Sequence, residues 1–228
     1  MSNWFKSFIN LIFPHCCIVC DQVLSHQEKY ICVECLSHLP KTNFHLIKDN
    51  NAEKRFWGKF IFEKAFSYFY YTKESDFSSI LYELKYKGNK EIGLIMGRYM
   101  SNDIISSGFF SDIDMIIPIP LHKKRYKKRG YNQSEWIAKG ISEITGIPIR
   151  TDIILRNIAN PTQTNKNIME RWENVEGVFT LNFPLAIENK HILLVDDVLT
   201  TGATITSCAT ILQRMPNLRI SIITLSIA

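Results

Sequence analysis

Residues 192 to 204 read ILLVDDVLTTGAT, and this stretch limits the chain more than any other. Ile192, Leu193, Leu194 and Val195 are apolar on both faces, as in a strand buried inside a parallel sheet. Asp196 and Asp197 follow at its carboxyl end, and Val198 to Thr204 then leads into a helix. In open α/β sheets, ligands bind beyond the carboxyl ends of the strands. A helix N-terminus preceded by small residues offers free N–H groups and a favourable dipole to a phosphate. Thr200, Thr201 and Thr204 add hydroxyl donors, while Gly202 lets the backbone come close. The segment is not a Walker loop, because the lysine is missing and the spacing differs. Two adjacent aspartates are costly there without cations or hydroxyl donors nearby. A ribose diol supplies donors, and a magnesium ion held by ligand oxygens relieves the charge. The plainer alternative is an ordinary N-cap beside two solvated acids. A strand, two acids and TTGAT in this order favour the ligand site.

The rest of the chain supplies the other parts of such a sheet. Phe62 to Tyr71 is rich in aromatic residues, as a strand would be. Phe77, Ile80, Leu81 and Leu84 mark a helix that stops near Gly88, and Ile92 to Met100 mark a second. Met115 to Ile119 reads as a buried strand. Trp136 to Ile144 gives a helix closed by Gly146. Ile153 to Leu155 is a short strand candidate and Val178 to Leu181 an edge strand. Gly202 to Met215 reads as a helix and Arg219 to Ile227 as a last strand. Strands alternating with helices imply an α/β fold with a mostly parallel sheet flanked by helices. The polar stretch Lys48 to Lys54 looks like a boundary. It divides the chain into residues 1–50, which carry most of the cysteines, and residues 51–228.

Five of the six cysteines fall between Cys16 and Cys35. Cys17-x2-Cys20, eleven residues, then Cys32-x2-Cys35 makes two knuckles, and four thiolates suit the tetrahedral preference of zinc. Cys16 and Cys17 are adjacent, so either could be the ligand, and the CxxC spacing selects Cys17. Four thiolates leave no open position for water, so the zinc is expected to be structural. Clustered cysteines of this kind point to a reducing, cytoplasmic setting. No segment reaches the ~18 apolar residues of a membrane span. Trp4, Phe5, Phe8, Ile9 and Ile12 recur at helical spacing, which suggests a short amphipathic helix packed on its own domain rather than a membrane-surface anchor.

The net charge of +5 is modest but unevenly spread. Lys123 to Arg129 places six cations in seven positions, directly after the strand end at Pro118 to His122. Such a run is usually a solvated face and more rarely a phosphate or nucleic-acid site. Here the cations stand where a pyrophosphate would offset the two acids, and arginine can grip phosphate in two places at once. Arg129, Gly130, Tyr131, Asn132 and Gln133 then open the next helix.

The segment ending in TTGAT resembles the phosphoribosyl pyrophosphate motif of the type I phosphoribosyltransferases. The resemblance implies that Asp196 and Asp197 contact the ribose hydroxyls. It also implies that Thr200, Thr201, Gly202, Ala203 and Thr204 hold the 5-phosphate. Three further stretches narrow it to the ComF family. They are Leu84-Lys85-Tyr86-Lys87-Gly88; Pro118 to His122 with the basic run and Arg129 to Gln133; and Arg156 through Gln163 to Arg171, Asn174, Val175, Gly177 and Phe179. The cysteine pattern agrees with that family, including the choice of Cys17. Resemblance to this family implies a glycosyltransferase-type site for phosphoribosyl pyrophosphate and magnesium. His122, Lys123, Arg125, Arg129, Gly130, Asn132 and Gln133 would form a pyrophosphate or DNA loop, and Arg156, Gln163 and Arg171 a lid. The family link is to DNA uptake in natural transformation, with single-stranded DNA and a competence helicase as implied partners. The alternative is a single-stranded DNA-binding protein on a non-catalytic phosphoribosyltransferase fold, with Tyr126 and Tyr131 as stacking platforms.

Overall fold

The computed structural model describes residues 14–156 and 178–228. Four strands form one parallel sheet: β1 (Lys64–Tyr70), β2 (Met115–Pro118), β5 (His191–Leu199) and β6 (Arg219–Ile227). Their order across the sheet is β1-β6-β5-β2. The two central strands are the most apolar, with Ile192 to Val195 and Ile220 to Leu225 all shut off from solvent, the small hydroxyl residues Ser221 and Thr224 included. Those hydroxyls are paired within the sheet, as where Ser67 on β1 meets Thr224 on β6 at 2.7 Å. Pro118 closes β2 on the outer side, where a missing N–H costs no ladder bond.

Seven helices accompany the strands among the described residues: α1 (Val33–Ser37), α2 (Asn51–Lys54), α3 (Ser78–Tyr86), α4 (Glu91–Ile104), α5 (Lys123–Arg129), α6 (Gln133–Thr145) and α7 (Ala203–Leu212). The helices read from the sequence in residues 77–88, 92–100 and 136–146 correspond to α3, α4 and α6. Gly146 ends α6 in the left-handed region at φ 73°. Two short strands, β3 (Ile154–Arg156) and β4 (Phe179–Leu181), pair antiparallel in a separate sheet rather than at the edge of the main one. Each offers only three residues.

β5 is longer than expected. It runs through Asp196 and Asp197 to Leu199, and Asp196 stays in register with Thr224 of β6. The acids therefore belong to the final turn of the ladder rather than to a loop beyond it. The basic run departs from expectation in the other direction. It is no loop but helix α5, since lysine and arginine are good helix formers. The His122 ring accepts from the Lys124 N–H at its start, Gly130 closes it at φ 80°, and Lys127, Lys128 and Arg129 sit in the turn that the helix dipole favours for cations.

Helices α4 and α6 cross at two glycines. A Cβ on Gly97 would lie 2.3 Å from the Ile137 carbonyl oxygen, and one on Gly140 would lie 2.1 Å from the Leu94 oxygen. Both obstacles are backbone, so neither can yield without separating the helices. Gly140→Ala is expected to cost about 2–3 kcal/mol of unfolding free energy, as overpacking does. Urea unfolding followed by circular dichroism checks it; an unchanged midpoint would mean that the helices can slide apart freely.

The cysteine-bearing part joins the sheet at its outer edge. The Thr42 N–H donates to the Tyr68 oxygen at 2.9 Å, and the Tyr70 N–H donates to the Pro40 oxygen at 2.9 Å. Asn50 is buried. Its side chain caps α2 and also donates to the Ala65 oxygen at 3.1 Å. No helix among the described residues is long and apolar enough to cross a membrane. The amphipathic pattern from Trp4 to Ile12 lies outside the described residues.

Candidate functional site

Parallel strands leave their side chains and free backbone groups converging at the carboxyl end. Here the ends of β2 and β5, one side of α3 along its length, helix α5 and the start of α6 line a cavity of about 740 Å³. Asp196 and Asp197 form its floor on one side, with Thr200 and Thr204 beside them. Lys85, Arg125, Arg129 and Arg156 line it as well, Lys85 directly against Asp197.

The acids are closely held. The Ser134 hydroxyl donates to Asp196 Oδ1 at 3.0 Å, and the Asp197 N–H donates to the same oxygen at 2.9 Å. Lys85 Nζ lies 3.3 Å from Asp197 Oδ2, and both side chains are largely covered. Even so, burial, reinforced by the neighbouring Asp197 charge, pushes the Asp196 carboxyl up to about 7. Those donors and Lys85 work against that rise without reversing it.

The cationic wall is ordered by packing as well as charge. Arg129 donates to the Gln133 side chain at 2.8 Å and stands 5.6 Å over the Tyr86 ring. Asn132 donates to the Ile119 oxygen at 2.9 Å, which fixes the turn after β2. Arg156 stands 5.1 Å over Phe179, and its buried Nε has no hydrogen-bond partner among the described residues. Burial lowers its guanidinium from the usual range, and nearby Arg125 adds to this. A group that is desolvated, cationic and facing a cavity is suited to an anion.

The loop 200–203 rests on the chain's own earlier part. Gly202 adopts φ 76°, and a Cβ there would meet the Phe56 ring at 2.7 Å. Two constraints thus coincide on one glycine, a left-handed backbone and a buried phenyl ring beneath it. Lys59 Nζ donates to the Thr201 oxygen at 3.2 Å. Thr201 and Ala203 face solvent at the start of α7 rather than lining the cavity.

Of the residues singled out in the sequence, the structure brings Asp196, Asp197, Thr200, Thr204, Arg125, Arg129, Asn132, Gln133 and Arg156 to one cavity. His122 serves as the cap of α5, while Lys123 and Gly130 face solvent. Gln163 and Arg171 lie outside the described residues. Tyr131 departs from the stacking role: it is buried, and its hydroxyl donates to the Leu84 oxygen. Tyr126 is about half exposed. Ser134, Tyr82 and Tyr86 also line the cavity. Ser134 sits in the first turn of α6, 62 positions from its partner Asp196, and nothing local in the sequence pairs them.

The second cluster lies in the cysteine-bearing part. The Sγ atoms of Cys17, Cys20, Cys32 and Cys35 all lie within 4.8 Å of one another, and this set can hold a metal ion. Tetrahedral Zn–S bonds of about 2.3 Å put sulfurs about 3.8 Å apart, and the Cys20 and Cys32 sulfurs are 3.7 Å apart. The Cys32 N–H points at Cys17 Sγ and the Cys35 N–H at Cys32 Sγ, each at 3.4 Å, as suits thiolates. Cys16 is exposed and outside the cluster.

No protein-family model matches the chain. It is similar to the DNA utilization protein YhgH of Shigella flexneri, at 26% identity over 202 residues, covering 87% of this chain and 84% of that protein. It is also similar to competence protein F of Haemophilus influenzae, at 32% identity over 107 residues and 45% of each chain. Among solved structures, the glutamine phosphoribosylpyrophosphate amidotransferase of B. subtilis overlaps 60% of this chain and 26% of its own. The TM-score is 0.40 and the identity 19%.

Proposed function

We propose that this chain binds phosphoribosyl pyrophosphate with magnesium in the cavity at the end of β5, and that it acts as a phosphoribosyltransferase-like protein in DNA uptake. The observation that carries the reading is the pairing of two adjacent carboxylates with a cationic wall in one cavity of about 740 Å³. Few ligands carry both a vicinal diol and two phosphate ends. In this reading Asp196 and Asp197 accept from the ribose hydroxyls, and Thr200, Thr204 and the first amides of α7 hold the 5-phosphate. Lys85, Arg125, Arg129 and Arg156 face the pyrophosphate. A bound magnesium ion would add charge neutralisation at the pyrophosphate oxygens.

A transfer reaction at this site breaks the bond from the anomeric carbon to the pyrophosphate oxygen as a nitrogen nucleophile forms a new one. The electron pair leaves with the pyrophosphate, where the fixed cations stabilise it. The proton that the nitrogen loses goes to the departing pyrophosphate or to water; Asp196, though raised to about 7, is engaged by the ribose hydroxyls in this reading. The names of the relatives, DNA utilization and competence, support the cellular role.

Residues 1–50 form the zinc-bearing module in this reading and residues 51–228 the ligand domain. Zinc on Cys17, Cys20, Cys32 and Cys35 is structural, because four thiolates complete its shell.

Calorimetric titration of phosphoribosyl pyrophosphate with magnesium tests the central claim. Micromolar affinity, about −8 kcal/mol, is expected for the wild type, and at least a hundredfold loss for Asp196→Ala/Asp197→Ala. No heat of binding to a folded wild-type chain would end this reading.

A further inference from the structure

The loop from Thr200 to Ala203 contains no lysine, yet in the proposed function it holds the 5-phosphate end of the ligand. Its own means are backbone groups. Gly202 sits at φ 76° and ψ 2°, directly before helix α7. The N–H groups of Thr200, Thr201 and Gly202 donate to no backbone oxygen among the described residues. Successive free amides around a left-handed residue make a concavity for an anion. Such amides bind well when they are aimed before the anion arrives, because no ordering remains to be done.

Two residues from far earlier in the chain do the aiming. Lys59 Nζ donates to the Thr201 oxygen at 3.2 Å, across 142 positions. All peptide bonds among the described residues are trans. In a trans peptide the carbonyl and the following N–H point in opposite directions. A lysine fixed on the Thr201 oxygen therefore holds the Gly202 N–H turned to the other side of the chain. The cation also polarises that peptide and strengthens its N–H as a donor. Phe56 acts on the same peptide by shape. It is fully buried, and a Cβ on Gly202 would lie 2.7 Å from its ring. The ring cannot easily retreat, since Phe60 packs on it at 5.3 Å and Phe62 at 6.0 Å. Phe56 and Lys59 also belong to one short run of turns. The Phe56 N–H donates to the Glu53 oxygen at 2.9 Å, and the Lys59 N–H donates to the Phe56 oxygen at 3.0 Å.

We infer that Phe56 and Lys59 are positioning residues for the 5-phosphate. Phe56 sets the path of the loop at Gly202, and Lys59, held on the Thr201 carbonyl, aims the Gly202 amide. The inference rests on the proposed function, since it takes the 5-phosphate to lie at this loop. In that reading the pyrophosphate lies against Lys85, Arg125, Arg129 and Arg156. Phe56 and Lys59 therefore act on one end of the ligand and leave the other alone.

The test is calorimetry of the full chain with three ligands, each with magnesium: phosphoribosyl pyrophosphate, ribose 5-phosphate and pyrophosphate. Lys59→Met is expected to weaken the first two roughly tenfold, as loss of one charge-assisted hydrogen bond does, and to leave pyrophosphate within about twofold. Lys59→Arg should restore most of the loss, because a guanidinium can also donate to the carbonyl. Equal weakening of all three ligands would mark a merely structural role and overturn the inference, as would unchanged affinity for ribose 5-phosphate. Gly202→Ala should lose ribose 5-phosphate, and Phe56→Leu added to it should recover part of the affinity by making room for the Cβ. No recovery in the double variant removes Phe56 from the assignment, and the lysine pair of variants then decides alone. A folded wild type that binds neither phosphoribosyl pyrophosphate nor ribose 5-phosphate sinks the proposed function itself. A wild type that binds both, with Lys59→Met indistinguishable from it, sinks only the positioning role.

Discussion

Asp196→Asn will make the chain more stable at pH 8 and will remove its affinity for phosphoribosyl pyrophosphate. The carboxyl is raised to about 7, chiefly by burial and then by Asp197. In the unfolded chain an aspartate titrates near 3.9. Between those values the folded state holds a proton that the unfolded state releases. Stability therefore falls as pH climbs from about 4 to about 7, and then levels off. Asparagine keeps acceptor geometry for the Ser134 hydroxyl and the Asp197 N–H but carries no charge to desolvate. The full shift corresponds to about 4 kcal/mol, and partial access to solvent reduces that to about 1–3 kcal/mol. In a chain of this size the melting temperature should rise by roughly 2–10 °C at pH 8, with no difference near pH 4. Thermal melts of both proteins from pH 4 to 8, paired with calorimetry of the ligand, measure both halves. A wild-type melt that is flat over this range would contradict the raised carboxyl. The same shift predicts that ligand affinity weakens below pH 7, as Asp196 protonates and loses its charge and one of the two oxygens that accept from the diol.

Zinc removal should have the largest effect on the N-terminal part. About one zinc per chain is expected, since four thiolates make one tetrahedral shell. Structural zinc contributes about 10–16 kcal/mol of apparent binding energy in small finger peptides, and little else orders a part this short. Cys17, Cys32 and Cys35 are buried around the cluster, and among the described residues α1 and a few bridges surround them. Stripping the metal with a chelator should expose the four sulfurs to a thiol reagent and erase amide protection around residues 16–36. Cys17→Ser should lose the metal, and Cys16→Ser should keep it. Full metal content in Cys17→Ser would mean that a different donor set is at work. The Thr42 and Pro40 bonds to β1 carry the consequence further, because loss of the module would also uncover the outer edge of the sheet.

Much of this architecture is legible in the amino-acid sequence alone. β5, β6 and α6 announce themselves through apolar runs, helical spacing and Gly146, because burial on a fixed period leaves a mark on the sequence. The acid pair and the threonines stand out for the same reason, as polar residues placed where apolar ones would otherwise continue. Other features leave no such mark. Lys123 to Arg129 has no apolar period, so its helical state depends on caps at His122 and Gly130 rather than on a buried face. Ser134 and Asp196 meet only because α6 begins beside the end of β5. Gly97 and Gly140 look like isolated weak points in two helices until the helices are laid against each other. Tyr131 reads as a surface aromatic within a basic stretch, yet its hydroxyl is bound beneath α3.

The order of the sheet has a bearing on how the protein is made. β6 is the last of the six strands among the described residues, but it lies between β1 and β5 and is the only partner of β1 among these main strands. While the ribosome is still working, β1 must wait with one edge open for a neighbour roughly 150 positions away. Pairing over such distances is slow, and open edges attract other nascent chains. The loop over Phe56 and the Lys59 contact with Thr201 also join early and late parts of the chain. Synthesis interrupted before residue 219 therefore leaves β1 without its neighbour, an open edge for quality control to clear.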